Sequence, residues 1–220
     1  MSVLRKLSCL AAGIGALMFV TPMIVTGAHA ADGGGEFSGA SFTCLQYTNG
    51  LGDNASGKMQ TSLAQLWMLG YLAGYYKGQG KLEMSDNAND VTKLTNLMAS
   101  RCKEFPQGSI LGVSMQSLAS EPHKIPKTTG TEFSPGTYTC GQHVDAKAGA
   151  AADANKADLG EMWAFAFIQG FKNVAAPNMA IGLENKPQLL GVINKACGSN
   201  RDTLYMDLTA LVAEKVKLAN

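Results

Sequence analysis

A chain of 220 residues with 18 basic and 17 acidic side chains has a formal net charge of +1, too even a balance to leave an electrostatic footprint for nucleic acid. Charged residues are only 16% of the chain, sparse for a soluble surface. Eleven methionines supply the kind of side chain that adaptable apolar surfaces use.

The first predicted element is a targeting segment. Arg5 and Lys6 precede an apolar run from Leu10 to about Val25, and Ala28-His29-Ala30 has the small-x-small pattern of a cleavage site. A Sec-type signal peptide over residues 1–30, cleaved after Ala30, is expected, and with it a periplasmic location. The alternative is an uncleaved anchor, for which the apolar run is short and rich in Gly. Cys9 comes too early for a lipoprotein acceptor and leaves with the signal. The mature chain keeps 16 basic against 17 acidic residues and four cysteines, Cys44, Cys102, Cys140 and Cys197. An even count in an exported chain reads as two disulfides. Without a C-x-x-C, neither a redox dithiol nor a zinc knuckle is supported.

The rest of the chain is a tandem repeat. Leu66–Gly78, "LWMLGYLAGYYKG", returns as Met162–Val174, "MWAFAFIQGFKNV". Thr43-Cys44 matches Thr139-Cys140 at an offset of 96 residues, and Trp67, Tyr71, Gly74 and Tyr75 match Trp163, Phe167, Gly170 and Phe171 at the same offset. Cys102 matches Cys197 at 95. The expected organisation is one repeat over 41–120, a Pro/Gly/Thr-rich linker over 121–135 ("EPHKIPKTTGTEFSP"), and a second repeat over 136–220. Four cysteines allow three pairings. Duplicated units most simply close within themselves, as Cys44–Cys102 and Cys140–Cys197, with inter-repeat pairing as the alternative.

Inside each repeat the periodicity is helical and strand signals are absent, so an all-α fold is expected. Ser62 with Gln65, and Asp158 with Glu161, read as capping boxes opening the aromatic helix. A second helix is predicted over Val91–Arg101, with Val91, Leu94, Leu97 and Met98 on one face, and its counterpart over Pro187–Ala196. Each ends at its cysteine. A third helix is predicted over Ser109–Ala119 and again over Asp202–Leu218.

On the aromatic helix, positions 67, 71, 74, 75 and 78 share one face, as do 163, 167, 170, 171 and 174. Core packing is the first reading of that stripe. Glycine costs a helix about 1 kcal/mol against alanine, so its recurrence in register implies a steric demand. Leu66, Leu69, Leu72, Phe165 and Ile168 lie off the stripe and make both helices apolar nearly all round. In so small a unit, the second apolar side must meet another domain, another chain or a client.

A "TC" opening, a W-x-x-x-[YF]-x-x-G helix and a second cysteine closing the next helix resemble the HdeA/HdeB acid-stress chaperones of the bacterial periplasm. Arg101–Ala119, "RCKEFPQGSILGVSMQSLA", fits that family's second-cysteine segment; Ala196–Val212, "ACGSNRDTLYMDLTALV", lacks the Pro. The resemblance implies small helical units pinned by one disulfide each and a folded, inactive dimer at neutral pH. In acid such a dimer comes apart and holds denaturing periplasmic proteins on exposed apolar surface, without ATP or another cofactor. Two units in one chain depart from the family's usual single unit, and the loop between each cysteine pair looks longer. An intramolecular pseudo-dimer of the repeats, or a homodimer, would replace the family's dimer.

Protonation of the carboxylates below about pH 3–4 would move the mature chain from about −1 to roughly +18. Asp86, Asp90, Asp158, Glu161, Glu184 and Glu214 are the candidate trigger carboxylates, three of them at predicted helix starts. No H-E-x-x-H, G-x-S-x-G or Walker loop is present, so no catalytic residue and no metal site are expected. His123 falls in the linker, and His143 stands where the first repeat has Tyr47. The rival reading is an inhibitor or immunity-type protein that inserts the loop "YTNGLGDNASGKM" (Tyr47–Met59) into a secreted hydrolase, its second-unit counterpart being "VDAKAGAAADANK" (Val144–Lys156). A structural protein of the envelope is a third.

Overall fold

Each half opens on a threonine. Thr43 accepts from the Gln46 backbone N–H at 3.2 Å while its own N–H donates to the Gln46 side chain at 2.8 Å. Thr139 and Gln142 repeat the exchange at 3.2 and 2.9 Å. These capping boxes satisfy orphan amides and start two short helices that the sequence reading missed, α1 (Cys44–Gly50) and α5 (Cys140–Lys147). The structure, a computed structural model, describes residues 37–52, 54–149 and 153–216. The predicted signal peptide and residues 217–218 of the predicted last helix lie outside them.

The long helices begin earlier than expected. α2 spans Ala55–Gly78, with the Asn54 side chain accepting from the Gly57 N–H, and α6 spans Ala154–Ala175. Ser62 and Asp158 therefore lie inside helices rather than at their caps. The opening turn of α2 faces solvent, that of α6 buries only Ala157, and neither carries an apolar stripe to announce it. Ser62 Oγ instead donates back to the Lys58 carbonyl at 3.0 Å.

After α2 comes β1 (Met84–Ser85), then α3 (Asn89–Glu104), whose buried face carries Leu94, Met98 and Cys102. α4 is a single turn, Ile110–Val113, capped by Ser109, and it widens into a π-turn over Ser114–Leu118 where one regular helix was expected. In the second half, a short 3₁₀ turn (Leu183–Asn185) leads into α7 (Lys186–Ser199), with Pro187 in its first turn. α8 (Tyr205–Lys215) closes the chain. Both cysteines of the second helices sit inside α3 and α7 rather than at their ends.

Among the described residues the fold is all-α apart from one short parallel pairing and two isolated antiparallel bridges, Thr43 with Ser109 and Thr139 with Leu204, which the sequence reading did not expect. β1 pairs with β2 (Ile125–Pro126), bringing the connector back against the chain that leaves α2. Further along the connector Phe133 is fully buried, against Tyr138, Trp163 and Tyr205. The disulfides close within the halves: Cys44–Cys102 ties α1 to α3 and Cys140–Cys197 ties α5 to α7, all four cysteines being fully buried. At the centre α2 lies along α6, and the other helices cover their outer sides. No helix among the described residues is long and apolar enough to cross a membrane.

Candidate functional site

The seam between α2 and α6 is built from a four-residue spacing read twice. On α2, Trp67, Tyr71 and Tyr75 form a ridge, stacked at 5.3 and 6.4 Å between ring centroids. Beside it runs a groove of Gly70, Gly74 and Gly78. On α6 the ridge is Trp163, Phe167 and Phe171, and the groove is Ala166, Gly170 and Val174. A Cβ on Gly74 would strike the backbone carbonyl of Phe167, and one on Gly170 would strike that of Tyr71. A Cβ on Gly70 would come within 2.6 Å of the Trp163 carbonyl oxygen, and one on Gly78 within 3.0 Å of that of Phe171. Partners advance together along both chains, so the helices run parallel, and the contact is reciprocal, like one between copies related by a two-fold axis. The glycines are thus where two backbones meet, the close approach that small-x-x-x-small spacing permits.

Of the eight sequence-predicted surface residues, Trp67, Tyr71, Gly74, Trp163, Phe167, Gly170 and Phe171 are buried, while Tyr75 is half-buried. The off-stripe Leu66, Leu69, Leu72, Phe165 and Ile168 are buried too. Few polar ties cross the seam. Asn173 Nδ2 donates to the Tyr71 hydroxyl at 2.8 Å, and Lys77 pairs with Glu214 of α8 at 3.5 Å. Burial pushes the Tyr71 phenol well above its ordinary pKa, the Asn173 hydrogen bond offsetting part of this.

The candidate carboxylates are not brought together. Asp86 is exposed and pairs with Lys127 at 2.9 Å. Asp90, in the first turn of α3, accepts from Lys93 at 2.8 Å and Ser85 at 2.6 Å, and these bonds hold its carboxyl below the usual range. Asp158 is exposed along α6, and Glu184 is exposed in the 3₁₀ turn. Asp90 and Glu184 occupy first-turn positions, whereas Asp158 and Glu161, expected at the start of the aromatic helix, lie inside α6. Of the six, Glu214 is the one whose ion pair bridges α2 and α8.

Glu161 sits in a denser setting. Lys147 Nζ lies 3.0 Å from Glu161 Oε1, and Asn194 Nδ2 donates to the same oxygen at 3.1 Å. Asn194 Oδ1 is 2.7 Å from His143 Nε2. The equivalent place in the first half is neutral: the Tyr47 hydroxyl accepts from Gln65 at 3.1 Å and donates to the Thr95 carbonyl at 3.4 Å. Sequence reasoning noted the exchange of Tyr47 for His143 but missed its setting, because Asn194 lies 51 residues away.

The loop offered for the inhibitor reading is largely helical. α1 runs to Gly50 and α2 starts at Ala55, so residues 51–54 are all that lie between them. Two apolar hollows occupy equivalent places in the halves. One, of about 310 Å³, lies between Phe105 and Val113, and one of about 270 Å³ lies between Asn200 and Leu208. The larger cleft, about 710 Å³, is lined by Tyr75, Tyr76, Lys81, Glu83, His123 and Lys124. Glu121 also lines it, so its two lysines face two carboxylates, and Lys124 pairs with Glu83 at 3.4 Å. Among the described residues no cluster of His, Cys, Asp or Glu is placed to hold a metal. A scan of protein-family models, a search of curated proteins and a search of solved structures found no match to this chain.

Proposed function

We propose that the protein is an ATP-independent acid-stress holdase of the periplasm, of the HdeA/HdeB kind, which presents the α2 and α6 faces to denaturing clients when acid parts the two halves. The observation that carries this reading is the seam itself. Six aromatic side chains are gathered on two parallel helices, each worth about 1.5–3 kcal/mol when buried, and few polar ties cross between the helices. Each half has its own disulfide, so the halves can separate while each stays locally restrained. Self-repulsion of a chain near +18 supplies the force. Clients would be bound by apolar contact, without cofactor or chemistry.

The test mixes the mature, oxidised protein with an unrelated aggregation-prone client and follows light scattering through a shift to about pH 2 and back. Substoichiometric suppression of scattering in acid, lost on reduction of both disulfides, supports the reading. Unchanged scattering, with the protein compact at that pH, overturns it and moves attention to binding partners at neutral pH.

A further inference from the structure

His143 is fully buried on α5, and the polar network around it fixes its protonation. Asn194 Nδ2 donates to Glu161 Oε1, the oxygen that Lys147 also pairs with. That orientation turns the Asn194 carbonyl oxygen to His143, so Nε2 carries the proton and donates. Nδ1 is left as a buried lone pair with no hydrogen-bond partner. The ring lies against Tyr205 at 4.5 Å and Tyr138 at 6.1 Å between centroids, and the hydroxyls of both tyrosines are also buried without a partner. A second proton on the imidazole would therefore go to a buried nitrogen that has no hydrogen-bond partner.

We propose that His143 is an acid-sensitive latch confined to the second half, loosening α5, α7 and α8 at mildly acidic pH while the first half, with Tyr47 in the same place, stays closed until its carboxylates protonate. Several charged or titratable groups face the ring. They are Lys147 from its own helix, Glu161 and Asp158 from α6, Tyr205 from α8 and Tyr138 from the segment before α5; α7 offers the neutral Asn194. Glu161 would attract an imidazolium, but it stands 3.8 Å from Nε2 and is already held by Lys147. Desolvation outweighs these attractions and depresses the folded-state pKa of His143 below its ordinary value.

With the folded pKa depressed, the stabilising effect is complete above the unfolded value of about 6.5 and is lost as pH falls below it. The unfolded chain takes up a proton that the folded chain refuses. Opening should become about tenfold more frequent per pH unit until the folded pKa is reached. Tyr47 titrates on the alkaline side in both states, since burial raises its pKa, and adds no such dependence. This loosening is a property of the chain alone and needs no client.

Hydrogen exchange read by mass spectrometry on the mature, oxidised chain between about pH 7.5 and 5 tests it, with rates corrected for intrinsic chemistry. Amides of α5, α7 and α8 should lose protection about tenfold per pH unit below about 6.5 while α1 and α3 hold theirs, and His143→Tyr should remove the difference. Loss of protection in step in both halves, or an unchanged profile in His143→Tyr, would overturn the latch. Should that variant fail to fold, an NMR titration of the His143 ring in the unmutated protein decides. A midpoint below 6.5 supports the latch, and one at or above 6.5 refutes it.

Discussion

The two halves place different chemistry on the same frame. Tyr76 at the end of α2 donates its hydroxyl to the Leu118 carbonyl at 3.1 Å and also to that of Glu121. Its counterpart Lys172 reaches the Val216 carbonyl at 3.2 Å. Each fastens the end of the third helix of its half, one by a neutral phenol and one by a buried amine whose pKa burial depresses. Tyr47 with Gln65 against His143 with Glu161 repeats the contrast. Even the seam is unequal: Tyr71 accepts from Asn173, whereas the mirror positions hold Phe167, which has no hydroxyl, and Lys77, which turns to Glu214 instead. Geometry is shared, and ionisable groups are concentrated in the second half. A duplicated fold can thus keep its packing while its response to pH becomes one-sided.

The largest effect that would test this comparison comes from the disulfides. They close loops of nearly equal length, with sequence separations of 58 and 57 residues, so each should contribute about 4 kcal/mol in the chain-entropy treatment. Cys44→Ser/Cys102→Ser and Cys140→Ser/Cys197→Ser should cost the same at pH 7.5 by urea denaturation. At about pH 5.5 the His143 penalty falls on the intact chain and on both variants alike, so the second half should unfold at lower urea than at pH 7.5 in every chain while the first half shifts little. An equal shift of both halves between the two pH values would mean that they respond alike.

Next in size are the seam glycines. Gly74→Ala and Gly170→Ala each drive a methyl into the facing helix backbone, an overpacking worth about 3 kcal/mol. The reciprocal geometry predicts similar losses for the two. Gly191 of α7 has nothing within 4 Å of an added Cβ, so Gly191→Ala should stabilise by about 1 kcal/mol through helix propensity alone. Thermal midpoints measured side by side would separate steric demand from propensity.

Much of this contrast could be read in the sequence, for reasons particular residues make plain. Helical spacing and paired tryptophans exposed the duplication, and helices apolar on every side required a second partner. The doubling of the unit suggested the other half as that partner, with a homodimer as the alternative; periodicity alone shows how much surface a helix must bury but not against what. Helix starts were misplaced because Ala55–Gln60 is mostly exposed and silent. One available signal was missed: "FSGASFTC" (Phe37–Cys44) recurs as "FSPGTYTC" (Phe133–Cys140). Phe133 is therefore the counterpart of Phe37, and each lies 5.2 Å, between ring centroids, from the aromatic that precedes its Thr-Cys pair. The setting of His143 escaped because it depends on which end of its carboxamide Asn194 turns to the ring, a consequence of folding that no spacing records.

A smaller change tests whether polar ties hold the seam. Asn173→Ala removes the hydrogen bond to Tyr71 and leaves that half-satisfied hydroxyl in a largely apolar setting, a loss of about 1 kcal/mol. The same substitution at Lys77, its positional counterpart, should cost less, because Lys77 and Glu214 are both substantially exposed. Chemical denaturation of the two variants would rank them.

Glu214→Gln is the weakest perturbation and the sharpest for the candidate trigger carboxylates. Its partner Lys77 lies 3.5 Å away across the two halves, with side-chain exposures of 46% and 38%. A pair so open to water is worth a few tenths of a kcal/mol and is screened by salt. The variant should therefore unfold at nearly the unmutated pH in an acid titration followed by circular dichroism. If that midpoint moves by a full pH unit, a single exposed bridge controls the parting of the halves. If it stays, opening in strong acid draws on the summed charge of the chain, and Glu214 is one carboxylate among seventeen.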